Sequence, residues 1–217
     1  MVFDKVSYIF ALAFLYISYS ECTFTECEKN YLPQCGHVFV STWKNADPNA
    51  DISEEYCKAF QSYGKCLSED SRSCSGTIIG LLRQGIADHL LVNKKTALCP
   101  NMDFSALIAN LEALAKANIP SAVASLFNLK KLDGDVAEAC DIKASRECAN
   151  YIAGNFINHF KANQGACLAK EADEYIFTCF EAKGDQCNGK LTNKFRETIK
   201  KIGKLIMDEQ RPLLDNC

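Results

Sequence analysis

The chain has 217 residues, 48% apolar and 24% charged, with a net charge of −3. These totals fit a soluble globular protein and weigh against a nucleic-acid binder, which carries a basic excess. Thirteen cysteines are the unusual count. In an oxidising compartment so many thiols build a disulfide framework, whereas in a reducing one they point to metal or redox chemistry.

The N-terminus chooses between these settings. Residues 6–17 (VSYIFALAFLYI) are almost wholly apolar, long enough for a signal-peptide core and short for a membrane span. Small residues follow at Ser18 and Ser20. Residues 1–22 are therefore expected to be a signal peptide and the remainder secreted, with no later transmembrane segment. Cleavage after Cys22 leaves twelve cysteines for pairing, while cleavage after Ser20 leaves Cys22 as a spare thiol.

The other twelve cysteines form two sets of six. The first is Cys27, Cys35, Cys57, Cys66, Cys74 and Cys99; the second is Cys140, Cys148, Cys167, Cys179, Cys187 and Cys217. Matching members are displaced by 113, 113, 110, 113, 113 and 118 residues. Gly76 and Gly189, after the fifth cysteine of each set, also differ by 113. Beyond them Ile78, Leu82 and Ile86 match Leu191, Phe195 and Ile199, apolar triplets spaced as on one helix face. An internal duplication follows: a six-cysteine module over residues 23–99, a connector over 100–139 and a second module over 140–217.

Each module reads as all-α. In the first, a helix over about 27–43 precedes a turn at 45–51. Ser53 caps a second helix with Glu54 and Glu55 in its first turn, where the helix dipole favours acids. A third helix covers about 75–92. In the connector, Asp103 can cap a helix bearing Phe104, Leu107, Ile108, Leu111 and Leu114, broken at Asn118-Ile119-Pro120. Ser121 starts another with Val123, Leu126, Phe127 and Leu132, ended by Asp133-Gly134. The apolar stripe of this connector is expected to dock the modules on each other. The second module repeats the pattern with helices over about 136–161, 168–182 and 190–208, the last stopped by Arg211-Pro212.

Spacing along helices suggests a pairing. Cys27 and Cys35 lie roughly 12 Å apart along a helix, and Cys57 and Cys66 about 13.5 Å. Two antiparallel helices would then carry the rungs Cys27–Cys66 and Cys35–Cys57, with Cys74–Cys99 tying down the third. The second module would follow with Cys140–Cys179, Cys148–Cys167 and Cys187–Cys217.

Catalytic and metal motifs are sparse. His37, His89 and His159 are scattered, no H-E-x-x-H or C-x₂-C spacing occurs, and there is no Gly-rich phosphate loop or G-x-S-x-G elbow. Asp88-His89 has no calcium loop beside it to make a phospholipase. No N-x-[ST] site occurs. The expectation is no catalytic residue, no metal and no cofactor. Two features could bind. The connector stripe could line a cavity for an apolar ligand through Phe104, Leu107, Leu111, Leu126 and Phe127, or simply be core. The last helix carries Lys190, Lys194, Arg196, Lys200, Lys201 and Lys204 beside Phe195, Ile199, Ile202 and Ile206. Such a helix can lie on anionic membranes, but it reads more simply as a solvated face over a core face.

Tyr56-Cys57-x₈-Cys66-x₇-Cys74 with Leu98-Cys99, preceded by Cys27-x₇-Cys35, resembles arthropod secreted helical cysteine-rich proteins, including relatives of the insect 27 kDa hemolymph glycoproteins. It is also similar to nematode secreted domains with paired cysteine helices. The resemblance implies a secreted protein of hemolymph, venom, saliva or gland secretion and supplies no catalytic residue. The C-x₃-C pair of insect odorant-binding proteins is absent. The expected function is a secreted, non-enzymatic structural or interaction protein with an unknown protein partner. The alternatives are a carrier of small apolar ligands between the modules and a venom or salivary effector.

Overall fold

The computed structural model describes residues 25–47, 49–69, 74–127, 132, 134–161, 176, 178–183 and 186–214, with side chains for all of these but 125–127, 157–161 and 203–214. The chain is all-α, with no strand among the described residues. The helices are α1 (Glu26–Lys44), α2 (Ile52–Ser68), α3 (Thr77–Lys95), α4 (Ser105–Asn118), α5 (Ser121–Phe127), α6 (Ala139–Lys161) and α7 (Lys190–Leu214). Residues 178–183 are also helical. The expected segment 1–22, Cys22, the turn at 163–165, Cys167 and Cys217 lie outside the described residues.

Local chemistry explains several boundaries. Thr25 and Glu28 form a reciprocal capping box at the start of α1. Asp51 rather than Ser53 caps α2, its side chain accepting from the Ser53 N–H. In the connector, the Asp103 carboxylate accepts from the Ser105 N–H at 2.9 Å, one residue into the expected helix. Arg211-Pro212 does not stop α7, which continues to Leu214. A proline in a last turn removes a single intrahelical donor, and that loss is small beside the stability of a long helix.

The start of α3 is held from a distance. Gly76 at its N-cap offers no side chain. Instead Glu28 of α1, fully buried, accepts from the Ile79 N–H at 2.7 Å and from the Thr25 N–H at 2.8 Å. The same arrangement stands 113 residues later. Asp141 of α6, 1% exposed, accepts from the Thr192 N–H at 2.8 Å and the Glu138 N–H at 2.9 Å. One carboxylate thus closes two helix N-termini at once, where unpaired N–H groups and helix dipoles favour an anion. The close approach needs glycine: a Cβ on Gly76 would collide with the Glu28 carboxylate, and one on Gly189 with that of Asp141. Gly76→Ala and Gly189→Ala are each expected to lower stability by about 1–3 kcal/mol in urea denaturation. Gly36→Ala, where a Cβ meets nothing within 4 Å, should instead raise it by about 0.5–1 kcal/mol.

The disulfides differ from every pairing that spacing suggested. Among the described residues they are Cys27–Cys74, Cys35–Cys66, Cys57–Cys99, Cys140–Cys187 and Cys148–Cys179. Cys27–Cys66, Cys35–Cys57 and Cys74–Cys99 are therefore wrong, as are Cys140–Cys179, Cys148–Cys167 and Cys187–Cys217. Matching rise along the axis leaves out the rotation of each residue about it. Nine residues turn a helix by about 900°, so Cys57 and Cys66 leave opposite sides of α2. Only Cys66 faces α1; Cys57 faces away, toward the end of α3 and Cys99. The bridges Cys27–Cys74 and Cys140–Cys187 both span 47 residues, and Cys35–Cys66 and Cys148–Cys179 both span 31.

One continuous core runs from Tyr31 to Ile202. α3 lies at its centre and is buried nearly all round, its polar residues Arg83, Asp88, His89 and Asn93 included. The connector touches both halves: α5 packs on α7, and Asp135 accepts from Lys95 of α3 and pairs with Lys194 of α7 at 2.5 Å. Its helix α4 lies on α2 and α3, where Leu107 and Leu111 reach Gly64, and Ile119 after it meets Gly80. Residues 25–99 and 139–202 meet directly: α6 packs on α1 and α2, and α7 on α3.

Candidate functional site

The seam between these two stretches is where most of the chain's unusual chemistry collects. Trp43, near the end of α1, stacks on Phe156 of α6 with ring centroids 5.2 Å apart and planes at 13°. Phe39 meets the same Phe156 edge-on at 5.5 Å. Next to them sits His89 of α3, 3% exposed. Its Nε2 shares a hydrogen bond of 2.7 Å with the Tyr56 hydroxyl, and its ring stacks on Phe60 at 4.1 Å. Phe180 and Phe195 close the other side at 6.2 and 5.3 Å. Burial lowers the His89 pKa to about 3 and raises that of Tyr56 well above its ordinary value. The pair is thus a neutral hydrogen bond inside a cage of rings. Beyond it the Thr96 and Ser145 hydroxyls bond across the seam at 3.1 Å. The side-chain N–H of Trp43 and both polar atoms of the Asn93 amide are buried and have no hydrogen-bond partner among the described residues.

The candidate residues fall elsewhere. Phe104 and Leu111 are fully buried in the core, and Leu107 is partly buried against it. The side chains of Leu126 and Phe127 lie outside the described residues. A cleft of about 90 Å³ opens at the start of α2, lined by Asp51, Ser53, Glu54 and residues 98–102, without Phe104, Leu107 or Leu111. Ligand pockets usually measure about 300–1,000 Å³. His37 is exposed on α1, and the side chain of His159 is outside the described residues. No group of three metal-ligating side chains stands together among the described residues.

The basic helix α7 has its apolar face in the core through Phe195 and Ile202. Lys194 pairs with Asp135 at 2.5 Å and Lys200 with Glu181 at 2.8 Å. No helix among the described residues is long and apolar enough to cross a membrane.

Sequence reasoning passed over His89, Glu28 and Asp141. His89 carries no clear signal, since its helix mixes Arg83, Asp88 and Asn93 with the apolar residues. Glu28 and Asp141 each follow the first cysteine of a set, at the same displacement of 113 as the glycines they close upon.

The family model described as the repulsive guidance molecule (RGM) N-terminal domain matches residues 22–94. That family comprises cysteine-rich extracellular domains, non-enzymatic in general. The matched stretch holds α1, α2 and nearly all of α3, with Cys27, Cys35, Cys57, Cys66 and Cys74. Nothing in these comparisons supports the likeness to insect 27 kDa hemolymph glycoproteins. No curated protein and no solved structure matches the chain. The first third of the chain is thus similar to a cysteine-rich extracellular domain, on helices whose bridges such a setting would preserve.

Proposed function

We propose that this chain is a secreted, non-enzymatic interaction protein, built from two copies of one six-cysteine helical module that share a core. The observation that carries this reading is the set of five disulfides, which would not persist in a reducing compartment. The match to a cysteine-rich extracellular domain family over residues 22–94 supports it. So does the setting of the Tyr56–His89 pair, which is buried and sealed by rings away from any substrate-sized opening among the described residues. Duplication accounts for the equal bridge spans and for the paired carboxylates Glu28 and Asp141.

Carriage of a small apolar ligand is the weaker reading, because Phe104 and Leu111 are already committed to the core. A role in venom or saliva is separated from one in body fluid by the tissue in which the transcript is made.

Expression of the full chain in cultured animal cells tests the proposal. The protein is expected in the medium without free thiols among its bridged cysteines. Added to the fluid in which it is naturally found, it should migrate in size exclusion with a larger partner. Retention in the cytosol with reduced cysteines, or migration only as a free monomer, would contradict it.

A further inference from the structure

We propose that the seam between residues 25–99 and 139–202 is an acid-sensitive latch, in which His89 is the group whose protonation parts the two halves while each half stays bridged. This builds on the two-module reading above and adds a conformational response to it.

Three observations carry the proposal. First, His89 stands where the halves meet, with Tyr56 and Phe60 of α2 on one side and Phe180 and Phe195 of α7's half on the other. An imidazolium there would be held in a cage of rings. Among the described residues the titratable group bonded to it is Tyr56, itself kept neutral by burial. Along α3, Asp88 accepts from Gln84 and Arg83 donates to the Leu67 carbonyl. From α6, the apolar Phe156 reaches the cluster through Trp43 and through Phe39.

Second, the seam carries polar atoms left without partners. Trp43 Nε1 lies at it, and Asn93 sits one turn along α3 from His89. Buried unpaired groups regain hydrogen bonds when water enters, so opening recovers part of what closure withholds.

Third, every disulfide among the described residues lies within one half, and none crosses the seam. Parting the halves therefore leaves each helix cluster cross-linked.

The direction with pH follows from linkage. A histidine free in water titrates near 6.5, whereas in the closed seam it does so at about 3. The closed state is fully favoured above pH 6.5, and its advantage is lost progressively as pH falls from there toward 3.

Trp43 is the sole tryptophan and lies on Phe156 across the seam, so its fluorescence reports opening. The full oxidised chain is titrated from pH 7.5 to 3 with emission and far-ultraviolet circular dichroism read together. The expected result is a red shift of Trp43 with helix content retained, and with its midpoint at least one pH unit lower, or absent, in His89→Gln. Three results would overturn the latch: no emission change above pH 3, loss of helix in step with it, or an unchanged midpoint in the variant. Should His89→Gln not fold, the His89 Cε1 proton is followed by NMR in the unmodified chain. Its titration must coincide with the Trp43 change, and a separation of the two overturns the assignment.

Discussion

Phe156→Ala is expected to lower stability by about 3–5 kcal/mol, among the largest effects of any single truncation in the chain. Phe156 is fully buried on α6 and is the ring on which both Trp43 and Phe39 rest. Removing it opens a void between α1 and α6 that neither ring can fill without leaving its other contacts. Phe39 is held by Phe60 at 5.1 Å, and Trp43 by Tyr56 at 6.4 Å. The loss therefore combines the transfer free energy of a phenyl ring with a cavity that collapses poorly. Urea denaturation of the oxidised protein, followed by circular dichroism, measures it. A loss below about 1 kcal/mol would mean that the halves do not share a core.

Glu28→Ala and Asp141→Ala are the second pair of large effects, each expected to cost about 3 kcal/mol. The Glu28 carboxylate accepts from the N–H groups of Thr25 and Ile79 and from the Thr25 hydroxyl at 3.0 Å. Asp141 serves Glu138 and Thr192 in the same way, with the Thr192 hydroxyl at 2.6 Å. Truncation leaves buried N–H groups at two helix starts without acceptors, the costly side of hydrogen-bond energetics. Glu28→Gln should cost less than Glu28→Ala, since an amide oxygen can still accept from Ile79. The near-equality of the two alanine effects is the informative part. Unequal losses, with one near zero, would mean that the repeated geometry does not carry repeated energetics.

The elements of this fold were largely legible in the sequence, and their connections were not. The displacement of 113 residues marked both cysteine sets and the glycines Gly76 and Gly189. Apolar triplets placed α3 and α7, and Asn118-Ile119-Pro120 broke the connector where α4 ends. These are local signals, set by capping, turn chemistry and helical period. The bridges depend on which side of α2 each sulfur leaves, a question of rotation that linear separation does not answer. The caps at α3 and α7 come from Glu28 and Asp141, each 51 residues from the N–H it closes. The connector stripe reads as buried from the sequence, but an apolar face announces burial without naming its partner, and α4 lies on α2 and α3 while α5 reaches α7. Phe104 and Leu111, which the sequence offers as ligand-lining residues, are buried where the connector lies against α2 and α3 beside Gly64 and Gly80.

The most direct measurement is a disulfide map of the exported protein by mass spectrometry of peptides cut without reduction. It should return Cys27–Cys74, Cys35–Cys66, Cys57–Cys99, Cys140–Cys187 and Cys148–Cys179. By the repeat, Cys167 should be joined to Cys217 as Cys57 is to Cys99. Free thiols at these positions, the rungs Cys27–Cys66 and Cys35–Cys57, or any bridge joining the first cysteine set to the second would contradict a duplicated module as the basis of this protein.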